Sequence, residues 1–229
     1  MNQLDKELTR LKEHVVDMLD LVKNQVERAE NAMFDFQDGV LLEASSSEKT
    51  INNLDLKIDN RAENILALYH PVAVDLRFVL ACLSFNTFLE RVGDNAFAIV
   101  KLAEKIQGDF TTEQLNSWRL GEMFKTTLKM LDQIGEGIEN DDTKIVANTF
   151  ISVKILNEIN LQSEKHLADF VMANPEKVRT AFALYPVFRK LERVGDMVTN
   201  IGENLIFYID AKVLKHKKKK VEAFIAKAE

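Results

Sequence analysis

Apolar residues return every three or four positions from Leu4 to about Gln37, through Leu8, Leu11, Val15, Met18, Leu19, Val22, Val26, Ala29, Met33 and Phe36. This period predicts one amphipathic helix on the order of 50 Å long at 1.5 Å per residue. Gly39 is its stop signal. A second run from about Leu41 to Tyr69 keeps the period through Ile51, Leu54, Ile58, Ala62, Ile65 and Leu66. His70-Pro71 ends it, because the residue before proline is pushed out of the α region, while Pro71 suits the first turn of a following helix. That third helix passes Asp75, Phe78, Phe85 and Phe88 and runs to about Ile106, where Gly108 stops it.

The second half repeats this plan. Thr111 or Thr112 can cap a fourth helix predicted over about Glu113 to Ile138, with Gln114 in capping-box position relative to Thr111. Asn140-Asp141-Asp142 then provide a break and a cap, a fifth helix runs to about Met172, and Asn174-Pro175 forms the next junction. The sixth helix extends to about Val213 with Pro186 as a kink inside it. The expected fold is all-α, as two tandem three-helix bundles. The expected division is residues 1–108, residues 109–214 and a basic tail at 215–229.

A duplication gives the same boundary. The hexapeptide Leu89-Glu90-Arg91-Val92-Gly93-Asp94 recurs unchanged as Leu191-Glu192-Arg193-Val194-Gly195-Asp196, 102 positions later. On a helix, Glu90 and Asp94 stand at i and i+4, so both carboxylates lie on one face and can hold one cation together. Gly93 costs about 1 kcal/mol relative to Ala in a helix interior. Breaking that rule twice at one place marks function or close backbone approach. In a chain with 36 acids among 229 residues a lone E-x-x-x-D means little, and most such pairs are solvated. Repetition with an internal glycine lifts this one.

Composition narrows the picture further. Only 8 Gly and 3 Pro occur, which suits long uninterrupted helices, and 46% hydrophobic residues are enough for a sizeable core. Cys82 stands alone in an apolar stretch and reads as core filler, as do Trp118 and the 14 Phe. The N-terminus has no apolar signal segment, and no stretch approaches about 18 consecutive apolar residues, so a cytoplasmic chain is expected. Residues 211–229 hold seven Lys against Glu222 and Glu229, so the overall −6 divides into a local +5 and −11 on the first 210 residues. An acidic body of that kind argues against nucleic acid as a partner. The run Lys215-His216-Lys217-Lys218-Lys219-Lys220 reads as a solvated helix end, or else as a contact for an acidic partner or an anionic membrane surface.

Asp55-Leu56-Lys57-Ile58-Asp59 on the second helix is another acidic i,i+4 pair, and antiparallel neighbours could set it against Glu90 and Asp94. Four converging carboxylates would repel one another without a cation. The four His do not fall into ligand spacing with these acids, and no Glu stands three residues before any of them, which argues against the ferritin-like di-iron pattern. Oxygen-only ligation points to a hard cation such as Mg²⁺, Mn²⁺, Ca²⁺ or iron. No phosphate-binding glycine loop and no nucleophile motif is present, so the chain is not expected to be an enzyme.

Pro71-Val72-Ala73-Val74-Asp75-Leu76-Arg77, the two hexapeptides and Thr199-Asn200-Ile201 resemble the PhoU family of bacterial phosphate-uptake regulators. The resemblance implies two three-helix bundles related by a pseudo-two-fold axis, each able to bind metal through paired acids. It also implies a cytoplasmic negative regulator acting on the ATP-binding subunit of a phosphate ABC transporter and on a sensor histidine kinase. Membrane association would run only through partners, and a homodimer is expected. Asp55, Asp59, Glu90 and Asp94 match the first metal box. The second keeps Glu192 and Asp196, but its preceding helix reads Leu156-Asn157-Glu158-Ile159-Asn160, so Asn160 would replace an acid. The other readings are an accessory protein of a different phosphate permease and a carboxylate-bridged metalloenzyme.

Overall fold

The computed structural model describes residues 2–214 and Phe224. The basic run 215–220 and most of the tail lie outside the described residues. The chain is all-α: α1 (Gln3–Phe34), α2 (Val40–Tyr69), α3 (Ala73–Ile106), α4 (Thr112–Ser117), α5 (Leu120–Asn140), α6 (Thr143–Ala147), α7 (Thr149–Ala173) and α8 (Val178–Asp210). No strand occurs among the described residues.

The expected caps form. Thr111 accepts from the Gln114 N–H at 3.2 Å while the Gln114 side chain accepts from the Thr111 N–H at 2.9 Å. Asp142 accepts from the Lys144 N–H at 2.8 Å and opens α6.

The first helix ends at Phe34, and Gly39, expected to stop it, instead opens α2 at a left-handed φ of 92°, while Pro71 lies ahead of the Val72 cap of α3 and not in its first turn. Three further expected helices differ from what forms. The fourth is two helices, because Arg119 takes a left-handed φ of 62° and breaks the run. Trp118 is pinned edge-on to Phe110 and Phe170, with ring centroids 5.5 and 5.4 Å away, while Arg119 forks to Glu122 and reaches Glu158 on α7 at 2.8 Å. The fifth is interrupted at Asn148, where the chain tightens to an i→i−3 bond from the Asn148 N–H to Ile145. The sixth is preceded by a 3₁₀ turn at Pro175–Lys177, accommodates Pro186, and ends at Asp210 because Ala211 turns left-handed.

Helices α1, α2 and α3 form one bundle, and α5, α7 and α8 form the other. The bundles join along α3 against α8 and α1 against α5, and a continuous apolar core runs through both. Arg77 near the start of α3 meets Tyr208 near the end of α8, and Lys190 in the first half of α8 meets Asn95 in the second half of α3. The two helices are therefore antiparallel, in a register that sets the two hexapeptides opposite each other. The pseudo-two-fold axis passes between them.

The repeated glycines serve helix approach. A Cβ on Gly93 would stand 3.1 Å from Ile51 Cδ1 on α2, and one on Gly195 would collide with Leu156 Cδ1 on α7. Of the two readings of the broken helix rule, close approach accounts for it.

Candidate metal centre

The seam between α2 and α3 is built from two polar stripes. Asn86, Glu90 and Asp94 recur every four residues along α3, and Asp55 and Asp59 do so along α2. The stripes run antiparallel. Asn86, fully buried, donates its Nδ2 to Asp55 Oδ1 at 2.8 Å, to the Asp55 carbonyl at 3.0 Å and to Asp59 Oδ1 at 2.9 Å. One amide thus supplies the only partial positive charge bonded to either carboxylate among the described residues. Its own Oδ1 is buried without a donor.

Electrostatics along the seam are those of a site short of positive charge. Burial and the neighbouring Asp59 hold the Asp55 carboxyl above its ordinary range, against the pull of Asn86. Burial, then Asp94 and Asp55, raise Glu90, with Arg91 opposing. One further acid belongs here. Glu48 on α2 is only 8% exposed, its carboxyl lies against that of Asp94, and burial together with Asp94 and Glu90 pushes it up to about 8. Its Oε2 has no hydrogen-bond partner.

The expected convergence is therefore drawn out into a ladder, with Asp59 and Asp55 around Asn86, then Glu90, then Asp94 with Glu48. Among the described residues no three acid, His or Cys side chains close on one point as a finished ion cage. The donor set nonetheless fits a hard cation: it is all oxygen, it is crowded with like charge, and it holds the orphaned acceptors Asn86 Oδ1 and Glu48 Oε2.

In the second half Glu192 accepts from Asn160 Nδ2 at 2.9 Å and lies 4.0 Å from Arg189. Asp196 is raised by burial alone. Asn160 Oδ1 is buried without a donor. The positions matching Asp55 and Glu48 are Leu156 and Thr149, both fully buried. Glu158 points away, to Arg119. This half presents two acids and an amide where the first presents five acids.

Glu48 and Asn86 are absent from the sequence reading. A signal existed for both: Glu48 precedes Asp55 by seven residues, two helical turns on one face, and Asn86 precedes Glu90 by four. Cys82 is 1% exposed and its thiol is driven well above its ordinary range by burial, so it is core filler as expected. No helix among the described residues is long and apolar enough to cross a membrane.

Comparison with known proteins agrees with this architecture. The profile of a family described as the PhoU domain matches residues 15–103 and again 120–205. A "Phosphate-specific transport system accessory protein PhoU homolog" of Borreliella burgdorferi is 31% identical over 90% of this chain and 94% of its own length. A "PhoU homolog 1" of Thermotoga maritima, named likewise as a transport-system accessory protein, is 25% identical over 96% of this chain and 94% of its own. The crystal structure of PhoU from Pseudomonas aeruginosa superposes with a TM-score of 0.86 at 24% identity, covering 92% of this chain and 100% of that one.

Proposed function

The chain belongs to the PhoU family, and from that premise we propose that it is a cytoplasmic accessory protein of phosphate uptake that keeps the phosphate-starvation response off when phosphate is plentiful. The observation that carries this reading is the double match of the PhoU domain, one copy in each half. Relatives over nine-tenths of the chain bear the name of phosphate-specific transport accessory proteins, which supports the same assignment.

Read as a regulator and not an enzyme, the chain acts by binding, and it shifts a partner's equilibrium only by its differential affinity for that partner's states. A transporter that alternates conformations and a kinase that toggles between signalling states are such partners. The reading therefore assigns the ATP-binding subunit of a phosphate ABC transporter and a sensor histidine kinase as partners, and a homodimer as the working form. Exposed Leu161, Met172 and Phe182, the last beside a groove of about 540 Å³ between α7 and α8, provide apolar surface of the kind that protein contacts use.

In the first half, Asp55, Asp59, Glu90 and Asp94 would hold a hard cation, whether Mg²⁺, Mn²⁺ or iron, and Glu192, Asp196 and Asn160 would form a weaker second position. Bound there, the ion would supply the positive charge that the seam lacks. The chain's own residues do the remaining work. Asn86 holds Asp55 and Asp59 in place, and Gly93 lets α2 and α3 close on the site.

The test is a deletion strain in excess phosphate carrying a starvation-promoter reporter, with capture of partners from phosphate-replete cells. A reporter that switches on, and a transporter ATP-binding subunit among the captured proteins, are the expected results. A silent reporter with a single-component permease captured would move the assignment to an accessory protein of that permease. Metal-dependent turnover would favour the metalloenzyme.

A further inference from the structure

We propose that Glu48 is a cation ligand outside the paired-acid motifs, forming with Asp94 a two-carboxylate anchor for a hydrated divalent cation at one end of the α2/α3 seam. The inference rests on the reading that this seam binds a cation, and it deepens that reading by naming a residue and a mode of ligation.

Placement comes first. Glu48 is 92% buried by its 8% exposure, and one of its two oxygens is an acceptor without a donor. Its carboxyl lies against Asp94, with Glu90 one turn further along α3. Ile51, one turn after Glu48, packs against the bare face of Gly93, so the glycine of the hexapeptide allows the approach that brings Glu48 to Asp94.

Charge comes second. Two carboxylates pressed together out of water need a positive partner or a shared proton. Among the described residues neither forms an ion pair. Lys101, a cation whose charge acts on Glu48, has its ammonium over the Phe97 ring, 3.8 Å from the centroid. Lys190, within electrostatic range of Asp94, donates to Asn95 Oδ1.

Ligand number then selects the ion. Among the described residues no three acids close on one point, so a bare ion needing an all-protein cage is poorly served. A small divalent cation that keeps several waters and takes one or two carboxylates suits the pair. The other half is an internal control: at the position matching Glu48 it carries Thr149, whose hydroxyl donates to the Val146 carbonyl, so Asp196 has no second carboxylate there.

The experiment uses the full chain, treated with chelator and then titrated with Mn²⁺ by calorimetry, with thermal unfolding in parallel and circular dichroism to check the fold. Wild type should bind Mn²⁺ and gain melting temperature. Glu48→Gln should lose affinity by roughly tenfold or more, at least the loss that outer-shell changes cause at metal sites. It should also lose the Mn²⁺-induced gain while melting higher than wild type in cation-free buffer, since a carboxylate contact has been removed. Asp169→Asn, at an exposed acid of α7 outside both seams, should retain wild-type Mn²⁺ affinity. If Glu48→Gln binds Mn²⁺ as wild type does while Asp55→Asn loses it, the inference is overturned and the broader reading of the seam stands. If wild type takes up no Mn²⁺, Mg²⁺ or Fe²⁺, the reading of the seam falls and this inference falls with it.

Discussion

Leu156 occupies the space that a side chain on Gly195 would need: a Cβ there would collide with Leu156 Cδ1 and stand 3.3 Å from Val153 Cγ2. Leu156 is fully buried, so it cannot swing aside into solvent. At Gly93, the same position of the repeat, a Cβ meets the tip of Ile51 at 3.1 Å and Val22 at 3.7 Å, contacts that a shift of a few tenths of an ångström relieves. Gly195→Ala should therefore destabilise by about 1–3 kcal/mol, the usual cost of overpacking a core. Gly93→Ala should be close to neutral, its smaller clash offset by about 1 kcal/mol of helix propensity. Urea unfolding of both variants checks this, and equal losses would count against the account.

Asn86 is the only group bonded to the Asp55 and Asp59 side chains among the described residues, and it is fully buried. Asn86→Asp replaces the donor with a third carboxylate at the same spot. The expected loss is about 3 kcal/mol or more in cation-free buffer, the scale for a buried charge left uncompensated. Added divalent cation should recover part of that loss, read as a rise in melting temperature larger than that of wild type.

The pH dependence of stability follows from Glu48. Its carboxyl, ordinarily near 4.5, is pushed up to about 8 in the folded chain, chiefly by burial and then by Asp94. Between those values the folded state holds a proton that the unfolded state has released, so raising the pH through that window favours unfolding. Asp55 and Glu90 are raised as well and act in the same direction. Wild type without cation should lose melting temperature steadily from about pH 5 to about pH 8, and Glu48→Gln should flatten that slope. A melting temperature that climbs over this range would contradict the assignment.

Arg119 holds a left-handed φ of 62° while its guanidinium bonds Glu122 at 2.7 and 2.9 Å and Glu158 at 2.8 Å. Arg119→Ala loses the ion pairs and keeps the strained backbone. Arg119→Gly loses the same pairs but relieves the strain. The glycine variant should be the more stable of the two by up to about 1 kcal/mol, measured by denaturant midpoint. If alanine is equal or better, backbone strain is not what the junction carries.

The parts of this protein that depend on neighbours in the chain were legible from its residues alone. The helical period, the Thr111 and Asp142 caps, the break at His70-Pro71 and the acid pairs at i,i+4 are all decided within one or two turns, and each appears where the pattern put it. The duplicated hexapeptide showed that two halves share one design, and the PhoU domain matches each half. What only tertiary structure decided are effects of packing across long separations. The break at Trp118 and Arg119 is set by an aromatic contact with Phe170 and an ion pair with Glu158, both on α7. Asn86 becomes the counter-group of Asp55 and Asp59, and Glu48 the partner of Asp94, only once α2 and α3 run antiparallel in one register. A sequence gives the face on which a side chain lies through its period. Which side chain stands opposite is set by how closely two helices approach, and at Gly195 that approach leaves no room for a side chain beside Leu156.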